Sequence, residues 1–176
     1  MVRFKNRYIC FELLFETAGE DSRYPASKSS ASDQQHILGS TVSAKNIVAL
    51  VRDQIKLNFG DMGAGHLLSG LQIKYLGNKT QLGIIKVPRD HCRMVQVALA
   101  LITHVNKHSC TIRVRHVSGT IKKCQKATIQ TNRELIIAWY EKQQQLSKSG
   151  EILSKDNSSL LDIIKQSTSQ ISALDL

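Results

Sequence analysis

Six cations, Arg113, Arg115, Lys122, Lys123, Lys126 and Arg133, lie between Ile112 and Arg133 with no acid among them, so 22 of the 176 residues carry +6 of a formal net charge of +10. Ammonium and guanidinium groups at this density suit the binding of anions, and the local pattern narrows the anion to phosphate. Ile112, Val114 and His116 alternate with Arg113 and Arg115, which predicts a strand with one wet, basic face that stops at Ser118-Gly119. A helical pattern starts near Ala127, with Ile129, Ile136 and Tyr140 on one side and Lys126 and Arg133 in line beside that apolar stripe. A strand, a glycine turn with two lysines and the start of a helix bring backbone N–H groups and ammonium groups to one point, which favours phosphate. Any one of these lysines alone reads as a solvated helix start; six cations without an acid read as an anion site.

Other constellations carry less. His104 and His108 have the i, i+4 spacing of a helical metal pair, but no third ligand of the zincin type accompanies them, and a helix C-terminus favours His on electrostatic grounds alone. Gly65 and Gly70 have the spacing of a phosphate-binding loop, but Leu71-Gln72 stand where Lys-Ser/Thr must follow. The stretch from Gly60 to Gly70 therefore reads as a flexible connection. Cys10, Cys92, Cys110 and Cys124 form no CxxC pair and read as reduced thiols of an intracellular protein. No paired carboxylates and no nucleophile with a base stand out, so no intrinsic active site and no bound metal are expected.

The elements that must position the basic stretch follow from periodicity. Arg3, Lys5 and Arg7 share a parity with Ile9, Phe11, Leu13 and Phe15, so residues 1 to 17 read as a strand with a basic entry and a buried continuation. Ser43 caps a helix to about Phe59 with Ile47, Leu50, Val51 and Ile55 inward and Gly60 as its stop. Leu71–Leu76 and Leu82–Val87 form a hairpin across Gly77-Asn-Lys-Thr80. Pro88 ends the second strand, and Asp90 caps a helix running to about Lys107 with Val95, Ala98, Leu99, Ile102 and Val105 inward. The order β-α-β-β-α-β plus a helix predicts an α+β, ferredoxin-like (RRM-like) sandwich with an added C-terminal helix. Two helices are expected on one sheet face, leaving the other free for Arg113 and Arg115.

At 176 residues one domain is expected, spanning 1–145 with a Ser-rich insertion at 18–41. Residues 146–176 form a polar tail, read as either disordered or a short docking helix through Leu160, Ile163, Ile164, Ile171 and Leu174, with little apolar area to hold it down. The excess of 24 Lys+Arg over 14 Asp+Glu and a pI of about 9.6 favour a polyanionic partner, of which nucleic acid is the commonest. No membrane partner is expected, because no basic amphipathic helix and no long apolar run stand out.

Val2-Arg-Phe-Lys-Asn-Arg-Tyr8, Arg89-Asp-His91 leading into Ala98-Leu99, and above all His116-Val-Ser-Gly-Thr-Ile-Lys-Lys-Cys-Gln-Lys126 with Asn132-Arg133 resemble the small α/β protein subunit of eukaryotic and archaeal ribonuclease P, shared in eukaryotes with ribonuclease MRP. The resemblance spans residues 1–17 and about 43–145. It implies a non-catalytic subunit that supports a catalytic RNA, with Mg2+ at that RNA, in 5′ leader removal from precursor tRNA and in precursor rRNA processing. It also implies a nuclear and nucleolar location and partners that include the ribonuclease P or MRP RNA, precursor tRNA, and a barrel-shaped metallohydrolase-like subunit. The residues expected at RNA are Arg3, Lys5, Arg7, Arg113, Arg115, Lys122, Lys123, Lys126 and Arg133. The competing readings are a free-standing RRM-like binder of single-stranded RNA and a small ferredoxin-fold acylphosphatase-type hydrolase. The first is opposed by the absence of aromatics on strand Leu82–Val87, with Tyr8 the one candidate on the first strand, and the second by a Ser-rich stretch where its phosphate loop belongs. Backbone contacts by Arg and Lys without readout of sequence fit better.

Overall fold

A computed structural model describes residues 5–15, 42–67, 70–77, 80–105, 108–148 and 157–175, with the side chains at 139–140, 142–148, 157–160 and 175 outside that description. Arg3, the whole Ser-rich stretch at 18–41 and the side chain of Tyr140 therefore lie outside the described residues. The elements run β1 (Asn6–Phe15), α1 (Ala44–Leu67), β2 (Gln72–Leu76), β3 (Leu82–Pro88), α2 (Cys92–Leu101), β4 (His104–Val105), β5 (His108–Ser118), α3 (Ile121–Lys148) and α4 (Asn157–Ser172). Single 3-10 turns occupy Arg89–His91 and Ala173–Asp175. Among the described residues the strands make one α+β sheet in the order β2-β3-β1-β5-β4, with every neighbouring pair antiparallel.

Strand β1 is central because both of its faces are apolar where it is deepest. Its odd residues Ile9, Phe11 and Leu13 pack with Ile85 and Val87 of β3 against Ile47, Val51 and Ile55 of α1 and Val95, Ala98 and Leu99 of α2. Gly83 is required here: a Cβ at that position would sit 2.3 Å from Cζ of Phe11, whose ring is fully buried. The even side of the sheet gathers Cys10, Leu82 and Ile84 with Cys124 of α3 and Ile171 of α4. The sheet face expected to be free is thus covered by α3 and α4. The pattern hid this because the buried side of α3 is largely polar. Gln125 Nε2 donates to the Ile171 carbonyl at 2.9 Å, Thr128 Oγ1 to the Cys124 carbonyl at 2.9 Å, and Asn132 Nδ2 to Ser167 Oγ at 2.8 Å. Hydrogen bonds of this kind remove most of the penalty for burying amides and hydroxyls.

Several boundaries differ from the sequence pattern for identifiable reasons. Ser43 does cap α1, its Oγ accepting from the Asn46 N–H at 3.2 Å, and Gly60 breaks the helix with φ 70°. The glycine-rich stretch then continues as a helical segment to Leu67 rather than as a loop. Helix α2 ends at Leu101, because Ile102 turns extended (ψ 115°) and His104 and Val105 pair with β5 instead. His104 and His108 consequently sit on the two strands of a hairpin, not on one helix face. Asp90 lies inside the 3-10 turn, and the α2 N-cap position belongs to His91 without a side-chain cap. Helix α3 starts at Ile121, six residues before the apolar pattern begins.

Candidate nucleic-acid interface

The end of the sheet where β1 enters, β3 leaves and β5 hands over to α3 is built from backbone outward. Asn6 faces Pro88 and Tyr8 faces Ser118 across β1, so the start of β1 lies between the ends of β3 and β5. The Arg89 N–H donates to the Lys5 carbonyl at 2.9 Å, which fixes Lys5 and Arg89 beside each other. On the other flank Ser118 Oγ accepts from the Thr120 N–H at 3.3 Å, and Thr120 caps α3 by accepting from the Lys123 N–H at 3.4 Å. Gly119 sits between them, and a Cβ there would lie 3.0 Å from Nη1 of Arg7. The glycine therefore gives the Arg7 guanidinium a place against the backbone of the turn, where it also donates to the Asn6 carbonyl at 3.3 Å.

This end collects Lys5, Arg7, Lys122 and Lys123 of the expected cations, with Lys5, Lys122 and Lys123 exposed and Arg7 half-buried. It adds Arg89, exposed, which sequence reasoning used only as part of a resemblance and not as a cation of the site. Its signal was the strand-ending Pro88, which directs the next residue to the sheet end. Lys126 and Arg133 are exposed further along α3, the second about 10 Å beyond the first at 1.5 Å per residue. Arg113 and Arg115 are not brought to this end. They stand several residues back along β5, roughly 10–16 Å away at the rise of a strand. There Arg113 faces Glu12 in register, and Arg115 forms an ion pair with it, Nε donating to Oε2 at 2.7 Å.

The lysines of α3 oppose local electrostatics. Lys122 and Lys123 occupy the first turn, which holds no acid, although the positive end of the helix dipole disfavours cations there by about 0.3–1 kcal/mol each. An anion at the same place interacts favourably with the lysines and the dipole together. Among the described residues no group of three or more His, Cys, Asp or Glu is placed to hold a metal ion. The four cysteines are buried and none is in a disulfide. Burial pushes Cys124 from the ordinary 9.0 up to about 12, with Cys10 beside it adding to the rise, and burial likewise raises Cys10 and Cys92. Cys10, Cys92 and Cys124 are thus shifted away from the low thiol pKa that nucleophilic chemistry requires.

Comparison with known proteins decides the family. The Rpp14/Pop5 family model matches residues 7–129. This chain belongs to the Rpp14/Pop5 family. It is 38% identical over 136 residues to the ribonuclease P/MRP protein subunit POP5 of Schizosaccharomyces pombe, covering 77% of this chain and 91% of the relative. The subunit of the same name from Saccharomyces cerevisiae is 35% identical over 138 residues, covering 77% and 80%. The human one is 31% identical over 141 residues, covering 78% and 76%. A chain in the cryo-EM structure of yeast ribonuclease MRP aligns over 98% of this chain and 96% of its own, with a TM-score of 0.44 and 9% identity, too loose a match to add weight. The matched region contains the basic turn and the first third of α3, so Arg7, Arg89, Lys122 and Lys123 of the cation cluster fall within it and Lys5 lies just before it.

Proposed function

We propose that this chain is a protein subunit of the ribonuclease P and ribonuclease MRP ribonucleoproteins. In that role it supports a catalytic RNA that removes the 5′ leader of precursor tRNA and, in the MRP form, processes precursor rRNA. The observation that carries the reading is family membership across the folded region, including the turn at Ser118–Lys123. The relatives named for ribonuclease P/MRP cover about three quarters of the chain, which supports a subunit role over a free-standing binder. The subunit is non-catalytic, and the Mg2+ needed for cleavage belongs to the RNA.

The strand order β2-β3-β1-β5, with α1 and α2 on one side, supports a ferredoxin-like core to which β4, α3 and α4 are added. Lys5, Arg7, Arg89, Lys122 and Lys123 form the main RNA contact. Lys126 and Arg133 extend it along α3. Contacts of this kind go to phosphates and set position rather than sequence. Its partners are the ribonuclease P or MRP RNA, precursor tRNA bound to the particle, and the barrel-shaped metallohydrolase-like subunit; its location is the nucleus and nucleolus. Purification of the tagged full-length chain from its own cells, followed by sequencing of the retained RNA, tests the proposal. Enrichment of the ribonuclease P or MRP RNA is expected, and a preparation free of both overturns it.

A further inference from the structure

One transverse row of side chains crosses four strands at the basic end of the sheet. Gln72 of β2 faces Lys86 of β3, Lys86 faces Tyr8 of β1, and Tyr8 faces Ser118 of β5. Directly opposed residues share a face, and the face is fixed by Tyr8, which packs against the Cys10, Leu82 and Ile84 cluster under α3 and α4. The next row inward, Tyr75, Ile84, Cys10 and His116, supplies Ile84 and Cys10 to the cluster that Cys124 and Ile171 close. The outer row is less covered: Tyr8 and Lys86 are half-buried and Gln72 is exposed. Ser118 turns its hydroxyl to the backbone of the α3 cap.

A half-buried tyrosine ring, braced from below by a fully buried aliphatic and thiol cluster, is held at low entropic cost to a partner. Beside it stand an ammonium and, one strand further, an amide that both donates and accepts. Lys5, Arg7, Arg89, Lys122 and Lys123 surround the same end of the sheet, while Asp90 beside Arg89 is an acid there. An apolar ligand gains nothing from those charges, and a fully paired duplex offers no ring face to the tyrosine. An unpaired nucleotide uses all of them: its base stacks on the ring, its polar edge meets the amide, and its phosphate meets the lysine.

Resting on the RNA-binding reading above, we propose that the row Tyr8, Lys86 and Gln72 is a stacking subsite for one unpaired RNA base. It complements the phosphate contacts at the α3 turn. The subsite holds one unpaired nucleotide of the bound RNA at the edge of the sheet, while the lysines hold the neighbouring backbone.

The test uses the full-length chain and a fluorescent oligoadenylate of about ten nucleotides, a length that one domain of this size spans. Tyr8→Leu, which keeps an apolar side chain over the cluster, is expected to weaken binding about tenfold. The dependence of log affinity on log salt stays unchanged, because no phosphate contact is lost. Tyr8→Phe keeps the ring and binds as the parent does, and Lys86→Gln lowers the salt slope by about 0.7. Wild-type affinity in Tyr8→Leu, or an equal loss in Tyr8→Phe and Tyr8→Leu, overturns the stacking subsite. If Tyr8→Leu lowers the melting temperature, Lys86→Gln decides, and an unchanged slope in that variant overturns it. Undiminished affinity with unchanged salt dependence in Tyr8→Leu removes this subsite and leaves the phosphate reading standing. A parent chain that binds neither oligoadenylate nor its copurifying RNA removes both.

Discussion

Arg115 on β5 reaches across to Glu12 on β1, its Nε and Nη2 lying 2.7 and 2.6 Å from the same carboxylate oxygen, Oε2. Glu12 is buried at 5% exposure while the Arg115 side chain keeps 33%, so the pair ties β1 to β5 with its carboxylate inside and its guanidinium reaching solvent. The run of six cations has no acid along the chain, yet the fold supplies one from a strand 103 residues away. Arg115 is thereby committed to the protein.

Arg115→Ala should therefore destabilise the fold by about 1–3 kcal/mol, since it leaves a buried carboxylate without its partner although water reaches a third of the arginine. Replacing both partners, Glu12→Gln with Arg115→Gln, should cost markedly less than the single change, because no lone charge remains. Urea unfolding of the three variants measures this. A loss under about 1 kcal/mol for Arg115→Ala would mean that water screens the pair as it does a surface bridge.

Gly83→Ala tests the other face of β1. The added methyl would meet the Phe11 ring at 2.3 Å, and the ring is enclosed by the α1 and α2 core with nowhere to move. The expected cost is about 1–3 kcal/mol from overpacking. Phe11→Leu in the Gly83→Ala background should cost less than Phe11→Leu alone, a coupling that a double-mutant cycle reads directly. Additive losses would show that the two positions do not share this space.

How much of this architecture was legible depended on where burial was apolar. Ile9, Phe11 and Leu13 alternate, and Ile47, Val51 and Ile55 recur at helical spacing, so β1, α1 and their α+β setting follow from pattern alone. Ile102 and Val105 fit the helical stripe of α2 equally well, and only the extended backbone at Ile102 and the pairing of Val105 with His108 settle them. The second layer was hidden because Gln125, Thr128 and Asn132 look like surface residues until their partners Ile171, Cys124 and Ser167 are known. For the candidate site, the turn at Ser118–Lys123 was legible from charge and glycine. Arg89 and the separation of Arg113 and Arg115 from the cluster depend on strand register, which no local pattern carries.

The buried thiols predict alkaline sensitivity. An unfolded cysteine releases its proton near 9.0, whereas Cys124 in the folded chain keeps it up to about 12. Between those values the unfolded state binds fewer protons than the native state, so stability is fully present below pH 9 and falls as pH rises toward 12. Cys10, Cys92 and Tyr75 are raised by burial as well and act in the same direction. Urea midpoints measured across this range should fall for the parent chain and fall less steeply for Cys124→Ala. Equal slopes in the two would refute the assignment.

The decisive prediction concerns Lys122 and Lys123. Both are exposed in the first turn of α3, where the dipole disfavours them, so neutralising them should not harm the fold. Thermal stability of Lys122→Ala with Lys123→Ala is expected within roughly 0.5 kcal/mol of the parent, or slightly above it. RNA binding should respond differently. Each phosphate contact releases counterions and contributes on the order of 0.7–0.9 to the slope of log affinity against log salt, so losing two should lower that slope by about 1–2. Arg89→Ala should add a further decrease, because the Lys5 carbonyl fixes it at the same end of the sheet. Arg113→Ala, several residues back along β5 and facing Glu12, should change the slope less than either. If the double lysine variant binds its copurifying RNA with unchanged affinity and slope, the α3 turn is a solvated basic face, and the RNA lies against another part of the molecule.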